Sequence, residues 1–585
     1  MNTFIKPLVL SMALFVSLIT VAQQVRTLTF DGTVSEIKIP VMDLSLPTDW
    51  TSFTHLVMEM RTSSPQRFSI WLYPDNGTPV RVMMQPFGQN VWLKASLPVQ
   101  YFVSKDQKGT DLASANNRRT NSFWFSTWGP FGAINSIKDI AFVMEYPIDK
   151  PTIELRSIHL SKQDEGSEFL EKLPVLDEFN QLAHADWPGK LKSKEQLTKE
   201  LADEAKTWGK TDYNYCNYGG YKNTQAKATG FFRVEQIDGK WWFVDPDGHL
   251  FLSTGSNGAG AGFGRRPAKD ATDAALGRIT PRLKAWGMTT GGADMAYTIM
   301  LRWQRTGTSF LGLPDVYSVD FANSIDQSAN TQCSPVKDDP FLLGYFVGNE
   351  PAFDGRESEV VDMIVNGPKT ATQDTLKAFL AQGDTPKRRK EFIISAFQKY
   401  LELACSAVKK YDPNHLTLGI RFGGDVSDEL LNTAKIFDVC SINVYEYEPM
   451  WQLNRASRFT GRPVLLGEFH VGVPANGLAA GLIQAKNQTE RGVAYRYYVE
   501  KSASVGGFVG AYWFQWKDEP ALGRMDGENY NIGFVDVNDR PYKELVEAAK
   551  ATNKRLYEVH SGKLLPFNQM PKASDAGTPS SPWKF

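Results

Sequence analysis

The chain is poor in cysteine, in net charge and in long apolar runs. Its four cysteines, Cys216, Cys333, Cys405 and Cys440, are scattered over 585 residues. They show neither CxxC nor metal-ligand spacing, so no zinc module or disulfide-stapled scaffold is indicated. Free buried thiols are expected, with one bridge possible. A formal net charge of −1 lacks the basic footprint of a nucleic-acid binder and gives no reason to expect an anionic membrane surface as partner. The one conspicuous apolar run, Pro7 to Val21, follows Lys6 and leads to the small residue Ala22. It is shorter than the ~20 residues of a spanning helix and has the layout of a secretory signal peptide over 1–22. A secreted or periplasmic protein with no membrane span in the mature chain is expected.

Aromatic and apolar residues are plentiful. The apolar share is 42%, with 15 Trp, 21 Tyr and 35 Phe. That is enough for substantial cores, and the length points to more than one domain. Residues 24–162 read as all-β. Phe68, Ile70 and Leu72 alternate with Ser69, Trp71 and Tyr73, turn residues such as Asp75-Asn76-Gly77 bound the runs, and a β-sandwich of carbohydrate-binding type is predicted. Its Trp71, Trp92, Trp124 and Trp128 supply either a sugar platform or, the favoured reading, core and interdomain packing. Residues 163–229 form a connector, in which Ser193 and Gln196 suggest a capping box ahead of a helical face of Leu197, Leu201, Ala205 and Trp208.

From residue 230 the pattern changes. A hairpin turning at Asp238-Gly239 is followed by short apolar runs that alternate with helical stretches. The runs are 249–253, 288–292, 311–317, 342–347, 416–420, 439–444, 463–466 and 509–514. Buried parallel strands read this way, and eight of them predict an α/β catalytic domain, a (β/α)8 barrel over 230–562. Lys387–Lys410 reads as an amphipathic helix, 366–385 as a loop insertion and 563–585 as an irregular tail.

Residues at the C-terminal ends of barrel strands face the active site. The fourth run leads into Asn349-Glu350, and the seventh ends in Glu468-Phe469-His470. Two carboxylates at facing strand ends suit glycoside hydrolysis, in which one carboxyl donates a proton to the leaving oxygen and the other attacks the anomeric carbon. Burial and mutual repulsion raise the acid's pKa, and donors keep the nucleophile charged. Glu350 is thus the expected acid/base and Glu468 the nucleophile, ~5–5.5 Å apart for a retaining, double-displacement reaction. Asn349 is placed to bond the sugar hydroxyl beside the anomeric centre. Arg421 and Tyr445, ending the fifth and sixth runs, are candidate partners of the nucleophile. Asn257, Asp294 and His470 are further candidate substrate contacts. In Trp513-Phe-Gln515-Trp516, either tryptophan is a candidate floor of the sugar subsite, with Gln515 beside it. No motif implies a metal or organic cofactor.

These residues resemble the retaining glycosidase clan with its acid/base on strand four and nucleophile on strand seven. Within it, the chain is similar to the β-agarases of glycoside hydrolase family 50. The likeness is carried by Gly230-Phe-Phe-Arg-Val234, Trp242-Phe-Val-Asp-Pro-Asp-Gly-His249, Leu283-Lys-Ala-Trp-Gly287, Asp339-Pro-Phe-Leu-Leu-Gly-Tyr-Phe346, Gly523-Arg-Met-Asp-Gly-Glu-Asn529 and Asn531-Ile-Gly-Phe-Val-Asp536. The resemblance implies hydrolysis of β-galactosyl linkages in agarose or a related galactan. Gly348 stands where the family often has Asp, and Pro351-Ala-Phe353 where Trp commonly follows. A hydrolase of another β-glycan such as a β-glucan, a transglycosylase and a non-catalytic glycan-binding protein are the alternatives.

Overall fold

The computed structural model describes residues 25–104, 117–171, 175–262, 273–304 and 307–577. The expected signal peptide, 1–22, lies outside them. The N-terminal part consists of two antiparallel sheets. One has five strands, in the order Arg26–Thr29, Thr152–Ser161, His55–Thr62, Leu93–Pro98 and Glu168–Phe169. The other has six, in the order Glu36–Pro40, Ile137–Val143, Phe68–Pro74, Val80–Pro86, Phe123–Ser126 and Asn117–Arg119. Period-two alternation explains why they share one core. Leu56, Met58 and Met60 from the first sheet bury against Phe68, Ile70, Leu72, Val82 and Met84 from the second.

The connector helix Lys194–Ala205 starts as its sequence suggests. Ser193 Oγ accepts from Gln196 N at 3.1 Å, but the Gln196 side chain reaches back to Lys192 N, one residue before the cap. The anticipated apolar face is only half-buried, and Ala205 is exposed. The helix is anchored instead by charge. Glu204 binds Arg282, which is fully buried and also holds Asp539.

The hairpin Arg233–Ile237 with Lys240–Val244 turns at Asp238 and Gly239, both with positive φ. This is the geometry that matches the strand twist of a two-residue turn. After it, parallel strands appear in two sheets. Ser253–Ser256, Phe508–Trp513, Val464–Phe469, Cys440–Asn443 and Phe422–Gly423 form one, and Tyr297–Met300, Leu342–Phe346 and Leu416–Thr417 the other. Backbone bonds tie the two sheets together. Thr289 N and Thr290 N donate to Thr254 O, Thr290 bridges Ala296 in parallel, and Val439 N donates to Thr417 O. Leu343, Phe346, Leu465, Val509 and Tyr512 gather in an inner cluster with Phe232, Phe243 and Phe251 of the hairpin region. Leu466, Phe469 and Trp513 belong to the outer cluster with the helices.

Two sequence expectations are corrected here. The run 311–317 is not a parallel strand. Leu311 and Gly312 both take positive φ, so the chain reverses there and Ser309–Phe310 pairs antiparallel with Leu313–Pro314. The strand between those of Thr289–Thr290 and Leu342–Phe346 is Tyr297–Met300. The supposed loop insertion at 366–385 contains the helix Ala371–Leu380, started by Thr370 Oγ1 accepting from Gln373 N at 3.0 Å. The amphipathic helix is found as Pro386–Tyr411, with proline in its first turn. All four cysteines are free thiols. Residues 563–577 contain no helix or strand, and no described helix is long and apolar enough to cross a membrane.

Candidate active site

Glu468 lies on the strand Val464–Phe469, and Glu350 follows Leu342–Phe346 by four residues. Pleating turns Phe469 outward, where it stacks on Tyr498 with ring centres 4.2 Å apart. Glu468 therefore faces the other way, into the cleft. Its carboxylate is almost fully buried and accepts two charge-favouring bonds, from Arg421 Nη2 on Oε1 and from the Tyr445 hydroxyl on Oε2. Arg421 is itself fully buried. Its Nη1 donates to Asn257 Oδ1 at 3.2 Å and its Nε to Asn443 Oδ1 at 3.4 Å, while Asn257 Nδ2 is fixed on Gly467 O at 3.1 Å. Gly467 is required by this close approach. A Cβ there would stand 2.8 Å from Asn443 Oδ1 and 2.9 Å from Arg421 Nε.

Glu350 sits deep between protein walls, yet its side chain keeps an open face toward solvent. Its Oε1 accepts from Asn443 Nδ2 at 2.6 Å, and the same amide reaches Asn349 Oδ1 at 3.4 Å. Burial, then the charge of Glu468, pushes the Glu350 pKa up to about 7, against the lowering pull of Asn443 and Arg421. Glu350 and Arg421 both have positive φ, at 44° and 53°. For residues with a Cβ this costs ~1–2 kcal/mol each, and such strain collects where the surrounding structure must hold a group in one place. The result is a carboxyl that holds its proton near neutrality beside a carboxylate clamped by a guanidinium and a phenol.

The structure thus brings together Asn349, Glu350, Arg421, Tyr445, Glu468 and Asn257. Asn257 acts on Arg421 from a fully buried position. Other expected contacts are displaced. His470 is buried and committed to the backbone, with Nδ1 on Phe514 O at 3.0 Å and Nε2 accepting from Leu482 N at 2.9 Å. Burial holds it well below its usual pKa, so it is neutral, and its ring packs on Tyr445 at 4.7 Å. It braces the tyrosine instead of meeting substrate. Trp513 points outward between Phe469, Tyr495 and Phe534, with Nε1 on Ile532 O at 2.6 Å. Trp516 is buried against Trp286 at 5.3 Å. Neither forms a floor for sugar. Alternation along the strand turns Phe514 toward His470 instead, half-buried, with Gln515 half-buried after it. Asp294 is also misplaced, because Gly291 N bonds Ala296 O and folds the chain back. It is exposed beside a separate pocket with Tyr213, Cys216 and Lys284.

Two features escaped sequence reading. Asn443, fully buried on the sixth run, touches both carboxylates' surroundings. Its signal was only its place two residues before Tyr445. The loop after the last strand carries Glu519, Asp526 and Glu528 around Arg524, and Asn117 of the N-terminal sheets donates to Glu528 Oε1 at 2.8 Å. Burial and the neighbouring acids hold Glu519 and Glu528 above the usual carboxylate range. Trp124 packs at this interface, its Nε1 on Asn529 Oδ1 at 3.3 Å, whereas Trp128 is exposed.

No protein-family profile matches the chain. β-Agarase B of Vibrio sp. (strain JT0107) is 26% identical over 525 residues, covering 66% of this chain and 54% of its own. β-Agarase A of the same strain is 24% identical over 672 residues, covering 89% and 67%. The chain resembles the β-agarases. It spans about half the length of the first of these relatives. Among solved structures, PfGH50B superposes with a TM-score of 0.63 at 22% identity, over 92% of this chain and 99% of that one. An exo-β-agarase superposes with 0.64 at 23%, over 91% and 94%. At such identity these establish a shared mixed α/β fold.

Proposed function

We propose that the chain is a secreted retaining glycoside hydrolase that cleaves β-galactosyl linkages of agarose or a related galactan. The observation that carries the reading is the asymmetry of its two carboxyls. Glu350 is held protonated up to about pH 7, while Glu468 accepts from Arg421 and Tyr445. In the first step a Glu468 oxygen attacks the anomeric carbon, the glycosidic C–O bond breaks, and the Glu350 proton passes to the departing oxygen. In the second, Glu350 takes a proton from water, whose oxygen attacks the anomeric carbon and expels Glu468. The β configuration is kept because inversion occurs twice. This requires the carboxyls ~5–5.5 Å apart. Asn349 would contact the sugar hydroxyl beside the reacting carbon.

The fold reading beneath this is a (β/α)8 barrel over 230–562, preceded by a β-sandwich over 24–162 and a connector over 163–229. It is supported by the succession of parallel pairings and backbone bonds from Ser253–Ser256 through Thr290, Tyr297–Met300 and onward to Phe508–Trp513, which pairs again with Ser253–Ser256. The β-agarase likeness of the two Vibrio proteins supports the substrate. The test is product profiling on a polysaccharide panel, with NMR of the first anomer released. Neoagaro-oligosaccharides released first as the β anomer are expected. Initial α product would overturn retention, and products from another glycan alone would overturn the substrate.

A further inference from the structure

A second cavity, of about 110 Å³, lies between the N-terminal sheets and the loops that follow the sixth and seventh parallel runs. Its floor is the outer face of the six-stranded sheet. Because Phe68, Ile70, Val82 and Met84 point into the core, Arg67, Ser69, Arg81 and Met83 must point out of it, and all four line the cavity. Leu482 and Gln484 form the opposite wall. The cavity adjoins the candidate active site through His470, which accepts from Leu482 N and packs on Tyr445.

Two guanidiniums face this space. The Arg81 side chain is 7% exposed, with Nε on Gly129 O at 2.6 Å, Nη1 reaching Glu145 at 4.0 Å, and its plane over Trp71. Burial lowers its pKa, an energetic cost that the exposed Glu145 offsets only in part. Arg67 enters no ion pair among the described residues. It touches Met83 Sδ at 3.9 Å and lies over the rings of Tyr530 and Trp124 at 5.4 and 6.0 Å. Planar guanidiniums held by aromatic faces suit oxyanions, which they bind with paired, charge-assisted bonds. The cavity lining holds two guanidiniums against one carboxylate, Glu145, and Arg67 also lies within electrostatic reach of the buried Glu528.

We infer that this cavity is an anion subsite that takes a sulfate ester or carboxylate carried on the glycan chain. The inference rests on the galactan reading for the identity of that chain, and the pocket's preference for an oxyanion stands independently of it. A substrate bearing such a group would be drawn to the Arg67 side of the cleft, and a neutral chain would not.

The test is calorimetric binding to the full chain in a Glu468→Gln background, which prevents turnover. The ligands are a sulfated galacto-oligosaccharide, its desulfated counterpart and inorganic sulfate alone. The sulfated oligosaccharide should bind about tenfold more tightly than the desulfated one, the size of one charge-assisted hydrogen bond. Arg67→Gln should erase that difference. Glu145→Gln, at an exposed position, should enlarge it by removing the competing carboxylate. Equal binding of the two oligosaccharides, or a difference unmoved by Arg67→Gln, overturns the inference. Inorganic sulfate binding as tightly as the sulfated oligosaccharide overturns the glycan-borne assignment. If neither oligosaccharide binds, the galactan reading fails, and sulfate affinity that falls in Arg67→Gln and rises in Glu145→Gln still upholds the anion pocket. Loss of sulfate binding in none of the variants overturns that as well.

Discussion

Asn443 Nδ2 stands 2.6 Å from Glu350 Oε1, and on its other side the same amide accepts from Arg421, the guanidinium that clamps Glu468. One buried side chain therefore connects the environments of both carboxyls and opposes the upward shift of the acid. Its N–H favours the charged form of Glu350. Asn443→Ala should move the Glu350 pKa further up, so the alkaline limb of the pH–kcat profile should shift to higher pH. The profile of the variant, measured on the substrate found by product profiling, decides this, and an unmoved or lowered limb would contradict the electrostatic assignment.

In the proposed mechanism Glu350 acts as an acid only while it holds its proton. With the pKa raised to about 7, the protonated form dominates below that value, and activity should fall as pH rises through it. Glu350→Gln should cost ~10²–10⁴-fold in kcat and abolish this limb. A profile that keeps the limb in the variant would assign it to another group.

Glu468→Gln removes the proposed nucleophile while keeping the side chain's shape. Turnover should be abolished, with circular dichroism and melting behaviour close to those of the parent. Appreciable residual hydrolysis would exclude Glu468 as the attacking group.

Tyr445 donates to Glu468 from a position braced by His470. Tyr445→Phe leaves the packing and deletes a hydrogen bond to a charged group, so kcat should drop roughly 10- to 100-fold. Unchanged kcat would mean that Arg421 alone holds the carboxylate.

Arg282 is the buried hub between the connector and the parallel-strand region, bonded to Glu204 and Asp539. Arg282→Met takes the guanidinium partner from Glu204, whose side chain is 12% exposed, and leaves Asp539 with Arg278 alone among the described residues, so the loss should be about 3 kcal/mol, the low end for breaking a buried pair. Urea unfolding measures it. A loss below ~1 kcal/mol would imply that water solvates those acids as well as the guanidinium does.

Signals that lie within a few residues were readable along the chain. A two-residue turn such as Asp238-Gly239, the Ser193 cap, the helix Pro386–Tyr411 and a carboxylate ending a short apolar run each depend on local sterics and hydrogen bonding. That is why Glu350 and Glu468, with Arg421 and Tyr445, could be named from the sequence as one group, and the structure gathers them. Which side of a strand a residue faces is harder, because the pairing register, and not composition, sets it. Trp513 reads as a sugar platform until pleating sends it outward and leaves Phe514 on the inner side. Asp294 reads as a strand end until the Gly291–Ala296 reversal carries it away. Least legible were the contacts between segments hundreds of residues apart. The bonds from Asn443 to Glu350 and from Asn117 to Glu528, and the Arg67–Arg81 cavity itself, exist only because burying both cores brings those surfaces together, and no local pattern encodes that closeness.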